Sequence, residues 1–544
     1  MLKKMLLSVV GVAILSSGLV NANAQISNIQ VGPGESALNI VESYFNTGES
    51  ISRIWHFFPN NGGSALCDPQ TLSPCSLDEQ IDTLIVLPPC DTEILEWCID
   101  GLSLYQKGNI SIVDNAKLIR STSGPIIKKK VEINLPQGGS TSLWEAEGLS
   151  NKGKTRTYAA YAVIKGSKAS GTGKFVFHDF AAMVFPYSER SGDFYQEGSV
   201  ANFIDNQGHP NVSISGGNPD CAWTENSKCG YIEDFADNTR AKLSIRIGNS
   251  LSGWLMGRMS DPIIEVKQLS TTQNLLIVDS EPVAIPKFQK KILTSQATPE
   301  LIEADPQVKF GGMHNQLASM TMKSFLAWSK VVDDRANGLE TVWSISTTTN
   351  GSGSQCLQDR TKLLGLVSTN AMVYEGTAPS YVDGSLQYKV AGLHNNSDGT
   401  EFLGKYDLLM RSDVARCIYG LPNLPISADI SITSSDGTSK VATTVMNENN
   451  GWLRLGAYGF TFSSPTIKVK LGQGSSLPIK SEGTGQSSTP TPSASPSATL
   501  MPTPSASTSA TVVVQKMTII CIKGKKVAKV SSTNPKCPAG YKKK

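Results

Sequence analysis

The chain has 544 residues and a formal net charge of +3, and only 17% of its residues are charged, against about 25% in typical soluble domains. Nine lysines and no acid lie in residues 515–544, and Lys3 and Lys4 open the chain, so the remaining residues carry −8, which is +3 less nine and two. An acidic body excludes a nucleic-acid partner from the leading readings. The absence of HExxH, GxSxG, P-loop, GxGxxG and calcium-loop patterns removes the common motif-borne routes to metal, nucleophilic and phosphate chemistry.

Lys3 and Lys4 precede an apolar run at 5–15, and Ala22-Asn23-Ala24 offers small residues for cleavage, so residues 1–24 read as a signal peptide with a mature start at Gln25. The alternative, an uncleaved anchor, needs about 20 apolar residues, and this run is shorter. No later segment is apolar enough for a membrane-spanning helix, so no membrane span is expected once the leader is removed, and the protein is expected to be secreted to the cell surface.

The ten cysteines suit an oxidising compartment. Cys67 and Cys75, Cys90 and Cys98, and Cys221 and Cys229 are each eight apart, which suggests three local loops. Cys356 with Cys417 would close a long loop, and Cys521 with Cys537 would staple the C-terminal end. Connectivity among Cys67, Cys75, Cys90 and Cys98 stays open, because four cysteines allow three pairings. With no CxxC and no histidine at ligand spacing from a cysteine pair, no metal or other cofactor is expected.

The predicted class is mainly β, with two or more β-sandwich-like domains, one amphipathic helix, a disordered linker and a small hairpin knob. Residues 25–124 read as a disulfide-stapled N-terminal β module, with strands at 82–87 and 101–106 and an aromatic cluster at Trp55, His56, Phe57 and Phe58. Residues 125–290 read as a β-sandwich-like domain, with short β-rich runs at 128–135, 142–147, 156–164, 174–185, 241–247, 253–259 and 263–269. Its long polar insertion, 188–240, is the first place to look for a ligand contact. Trp223 and Glu225 in the Cys221–Cys229 loop either meet a sugar ring or fold over their own domain.

Residues 291–338 read as a helical connector. Leu317, Met320, Trp328 and Val331 share one helical face, which predicts an amphipathic helix over 315–335 that packs on a sheet. Residues 339–480 read as a second β-sandwich-like domain, with strands at 388–393, 406–410, 428–433, 440–446, 452–456 and 466–471 and Ser-Asp-Gly and Asn-Asn-Gly turns.

Residues 481–511 are Pro/Ser/Thr-rich with almost no large apolar side chains, so they read as an extended, disordered spacer across which no domain contacts should pass. Residues 512–544 form a basic hairpin whose Lys523, Lys525, Lys526, Lys529, Lys536, Lys542, Lys543 and Lys544 suit an anionic cell-envelope polymer. Its ending, Pro535-Lys536-Cys537-Pro538-Ala539-Gly540-Tyr541 and three lysines, resembles the stapled, lysine-rich C-terminal repeats found behind Pro/Ser/Thr linkers in uncharacterised secreted or surface proteins of high-GC Gram-positive bacteria. The stretch 412–471, around Ala415-Arg416-Cys417-Ile418-Tyr419-Gly420 and Gly451-Trp452-Leu453-Arg454-Leu455, is similar to a domain of the same proteins. The resemblance covers about a quarter of the chain and implies export and surface association, with no activity.

No catalytic residue is nominated. His178 and Asp179 are neighbours in a strand pattern, where adjacent side chains point to opposite faces, so they should not work together. Glu145 and Glu147 share a strand face beside Trp144, and a solvated sheet face explains them better than a glycosidase pair. The leading expectation is an exported surface protein with a structural or adhesive role. The alternatives are a module that binds glycans or other surface ligands, including surface proteins, and a secreted carboxylate-based hydrolase.

Overall fold

The computed structural model describes residues 30–41, 52–57, 64–73, 75–76, 78–107, 114–171, 173–191, 199–204, 210–215, 221–249, 251–422, 426–433, 443–462, 466–473, 512–513, 517–523, 526–532 and 542–543. The predicted leader 1–24, the spacer 481–511, Cys537 and Lys525, Lys536 and Lys544 lie outside these residues.

The protein is mainly β, and its strands form several separate sheets. One ladder forms its spine. It passes through Lys117–Ser121, Ser142–Glu145, Thr157–Lys168, Val176–Ser191, Gly338–Thr348, Gly253–Arg258, Leu363–Thr369, Gly404–Arg411, Trp452–Phe460 and Thr443–Asn449. Every pairing along it is antiparallel except that of Gly253–Arg258 with Leu363–Thr369.

A second sheet, ordered Ser260–Gln268, Gln273–Glu281, Thr239–Gly248, Cys98–Gln106 and Asp114–Asn115, covers part of this spine. Leu102, Leu104, Leu243, Ile245, Leu276 and Val278 from the covering sheet close one core with Trp144, Tyr158, Ala160 and Ile164 from the spine. A third sheet of Val373–Tyr374, Ser385–Ala391, Thr466–Gln473 and Ile426–Thr433 closes another. There Leu386, Tyr388, Val390, Ile467 and Val469 meet Trp254, Met256, Leu408, Met410, Leu453 and Leu455. Along Gly253–Arg258, Trp254 and Met256 serve this core while Leu255 serves the first, so the strand is buried on both faces.

The two sandwiches therefore share a sheet, which corrects the sequence boundaries. Cys98–Gln106, assigned to a module at 25–124, pairs with Thr239–Gly248. Glu35–Val41 sits between Val283–Leu293 and Gly312–Leu317. Val512–Val513, placed beyond the spacer, pairs with Thr443–Asn449 of the body, so a contact does cross the spacer.

The single helix expected over 315–335 is also corrected. Gly312–Leu317 is a strand parallel to Glu35–Val41, and only Met322–Trp328 is helical. Phe325, Ala327 and Trp328 of that helix fill a small core with Leu38, Phe288 and Leu301. Trp328 Nε1 donates to the buried carboxylate of Asp305 at 3.1 Å, and His314 Nδ1 lies 3.3 Å from the same group. Two further short helices, Pro299–Ala304 and Ser412–Tyr419, complete the three α-helices among the described residues. The run 128–135 is a 3-10 turn at Val131–Ile133 rather than a strand, ended by Asn134 at φ 58°.

Four disulfides are formed, Cys67–Cys75, Cys90–Cys98, Cys221–Cys229 and Cys356–Cys417, which settles the connectivity of the first four cysteines as local. The expected Cys521–Cys537 bond lies outside the described residues.

A chain of charges ties the covering sheet to the spine. Arg240 donates to Asp279 at 3.0 Å and to Asp261 at 2.9 Å. Asp261, at φ 55° in a register shift of its strand, pairs with Arg454 and donates its backbone N–H to Asp407 at 3.1 Å. Arg454 reaches Asp407 at 3.0 Å, and the Tyr458 hydroxyl donates to the same carboxylate.

Stability should follow pH at both ends. Burial pushes Asp413 up, but hydrogen bonds from Arg411 and Lys362 outweigh it and bring the carboxyl to about 2. Its contribution is present above the ordinary carboxylate value and lost as pH falls toward about 2. Burial and the hydrogen bond to Asp279 push Tyr105 up to about 12, and burial does the same for Tyr419. Their contribution is complete below about 10 and lost as pH rises through about 12. Thermal melts across pH should show a plateau between about pH 4 and pH 10 with falling Tm on either side; a Tm still rising at pH 11 would contradict it.

Candidate functional site

The strand Val176–Ser191 runs antiparallel to Thr157–Lys168, and its register slips once. Phe177 pairs with Gly166 and Asp179 with Lys165, so His178 is an extra residue in a β-bulge. A bulge breaks the alternation of side chains and re-aims them. Both side chains are consequently exposed and in contact, with His178 Nδ1 3.2 Å from Asp179 Oδ2. The expectation that they point apart is thereby corrected. Gly166 makes the bulge possible, because a Cβ there would lie 2.6 Å from the Val176 carbonyl oxygen and 2.7 Å from the Phe177 ring.

The pair stands at a cleft of about 640 Å³. Ser252, Ser346, Thr347, Thr348, Thr349 and Asn350 supply hydroxyl and amide groups from the ends of neighbouring strands, and Lys165 and Arg360 supply cations. Trp97, Tyr161, Phe177 and Tyr374 contribute largely buried aromatic surface. Thr347 Oγ1 accepts the Phe180 N–H at 3.0 Å and lies 3.4 Å from Asp179 Oδ1, so the carboxylate stands exposed at the rim of the cleft beside a hydroxyl. Asp82 is near enough to feel the charge of His178; burial raises its carboxyl, and a hydrogen bond from Gln80 and the histidine oppose that. Such a lining sets neutral hydrogen-bond partners beside comparable apolar surface from Val163, Ile164, Phe180, Leu251 and Met256, which suits a ligand that presents both hydroxyl groups and an apolar face, as a sugar ring does.

Trp223 and Glu225 sit elsewhere. Among its described residues the insertion 188–240 contains two hairpins, Ser199–Ile204 with Pro210–Ser215 and Cys221–Glu225 with Lys228–Ile232, and the second extends the sheet along Tyr187–Ser191. Trp223 is 7% exposed and stacks on Tyr187 at 5.0 Å, with Phe185 at 6.0 Å. Gly230 backs the indole so closely that a Cβ would lie 2.5 Å from it. Of the two sequence readings, the fold-over one describes this ring. Glu225 accepts from Ser123 N at 3.1 Å and Arg120 at 3.0 Å; burial raises its carboxyl, but these bonds hold it below the usual range. Arg120, Glu189 and Lys228 around it are joined in ion pairs, so this smaller hollow, about 310 Å³, has its charges already matched.

Other groups were not legible as sites. His56 contacts Glu79, His314 contacts Asp305 and His394 contacts Asp334, so each of the four described histidines has Nδ1 against a carboxylate. The Asp334–His394 pair borders a second cleft of about 730 Å³ floored by Phe325, Leu326 and Phe462. The separations in sequence, up to 60 residues, carry no local signal. Glu145 is paired with Arg156 at 2.8 Å, and Glu147 falls in the turn after the strand. Among the described residues no group of three His, Cys, Asp or Glu is placed to hold a metal ion, and no helix is long and apolar enough to cross a membrane. No protein-family model, curated protein or solved structure matches the chain.

Proposed function

We propose that this chain is an exported cell-surface protein with an adhesive role, whose body holds a neutral, hydroxyl-rich ligand of the glycan type in the cleft beside His178 and Asp179. The observation that carries the reading is that cleft, where a bulge sets the exposed Asp179 carboxylate beside a lining that mixes serine, threonine and asparagine with aromatic side chains. Disulfide bonds and the resemblance of the C-terminal segments to surface proteins agree with export. The full chain on a glycan array should bind a subset of neutral glycans, and Asp179→Asn should weaken that binding about 10-fold or more, since a charge-assisted hydrogen bond contributes about 1.5–3 kcal/mol. Binding to no glycan, or binding unaffected by the substitution, rejects the reading. Release of shortened sugars during the assay would favour the hydrolase alternative.

The basic end supplies the attachment in this reading. The hairpin Met517–Lys523 with Lys526–Ser532 puts Lys523 opposite Lys526, and Lys542–Lys543 is a third strand beside Cys521 and Ile522. Like charges opposed across strands are destabilising until an anion lies between them. Exposed ion pairs contribute about 0–1 kcal/mol each and are screened beyond about 8 Å, so attachment must combine several. A reporter fused to residues 515–544 should bind isolated cell walls at low salt and elute as salt rises; retention equal to the reporter alone rejects the anchor.

A further inference from the structure

The strand Thr443–Asn449 pairs along its whole length with Trp452–Phe460 on one side. On its other side only two positions are paired in the described residues, Val445 with Val513 and Met446 with Val512. Met446, one of the two paired positions, packs against the second core. The two residues return to this edge after a connection of 38 residues, 474–511.

A two-residue ladder at the end of so long a connection is easy to exchange. The sequence of the connection, rich in proline and serine, can span up to about 120 Å at about 3.1 Å per residue. Held by such a tether, the strand competes for its own edge at an effective concentration of about millimolar or less. Neighbouring copies crowded on one surface supply a comparable concentration of identical edges. Exchange replaces each contact by the same contact, so it carries little energetic penalty. The edge itself has little defence, since Thr443 to Met446 bring no charge and no proline to it.

We propose that Val512–Val513 also docks on Thr443–Asn449 of a second copy, so that crowded chains are linked head to tail by strand exchange. The occupant is the same segment in the same register, from another molecule. This is independent of what fills the cleft.

The register supplies the test. Directly opposed residues lie within disulfide reach, so full-length Val445→Cys and full-length Val513→Cys are purified separately, mixed and oxidised across a range of concentrations. A disulfide-linked heterodimer should appear, should increase with concentration, and should give a peptide joining positions 445 and 513 on digestion. The double variant Val445→Cys/Val513→Cys serves as the reference, forming an internal link when dilute and a ladder of oligomers when concentrated. A double variant that links only internally at every concentration, with no heterodimer in the mixture, overturns exchange. Absence of the 445–513 link in both arms overturns the docking itself.

Discussion

Asp407→Asn should destabilise the folded protein by about 3–5 kcal/mol, the range found when one member of a buried, hydrogen-bonded charge pair is removed. Asp407 is 0% exposed and is surrounded by donors alone: the Asp261 backbone N–H, the Arg454 guanidinium and the Tyr458 hydroxyl. An amide supplies one acceptor and one donor, so in either orientation its NH2 faces another donor. Arg454 would then keep only Asp261 as a carboxylate partner. Because Asp261 is also held by Arg240 of the covering sheet, the loss should loosen the junction between the covering sheet and the spine as well as the site itself. Guanidinium unfolding of the variant should show a lower midpoint, and a double variant with Arg454→Met should recover part of the loss, because no buried cation is left stranded. A loss below about 1 kcal/mol would mean that water reaches the network and that it does not hold the sheets together.

Much of the secondary structure was legible, and the way it is assembled was not. Strands such as Thr239–Gly248, Gly404–Arg411 and Trp452–Phe460 carry β-rich runs between turn residues. Leu363–Thr369 is buried throughout, as a strand between two cores must be, and so lacks the alternation that marks a strand in a sequence. Val283–Leu293 is obscured for another reason. Pro286 lies in mid-strand, opposite Leu339, and a proline there argues against a strand. In 315–335 the apolar spacing fits a helix, yet Gly312–Leu317 is claimed by Glu35–Val41, more than 270 residues earlier. The division into domains failed for the same physical reason, since composition shifts mark loops but sheet pairing at long range leaves no local pattern.

The candidate site was hidden by a single inserted residue. His178 and Asp179 are visible as neighbours, but that they share a side depends on the partner register at Gly166 and Lys165, which no local pattern reveals. The residue types around the cleft, serine, threonine and asparagine, are those common in any loop, so nothing distinguished Ser252 or Asn350 until the strand ends met. At Trp223 the sequence leaves two readings open, a ring that meets a sugar and one folded over its own domain. Gly230 decides for the second, because it lets the hairpin close over the ring.

Replacing Cys356 and Cys417 together by alanine should lower stability by about 4 kcal/mol, whereas replacing Cys221 and Cys229 should lower it by about 2.5 kcal/mol, if the bonds act mainly by restricting the unfolded chain. The difference comes from separation, 61 residues against 8. Local structure should add to the first loss. Ser412–Tyr419 has 8 residues, too few to persist as a helix alone, and it is held by burying Val414, Ala415 and Ile418 in the second core. Its end is fixed by Gly420 at φ 61° and by Cys417, whose partner sits in the 3-10 turn Gln355–Leu357. Without the bond, that helix must be kept in place by its apolar face alone. The stapled hairpin differs, because the ladder to Tyr187–Ser191 and the stack of Trp223 on Tyr187 remain when its bond is gone. Guanidinium unfolding of the two alanine pairs should therefore rank them clearly, with the 356–417 pair the weaker. Equal losses, or the reverse order, would show that packing around each bond, rather than the length of chain it closes, decides what it contributes.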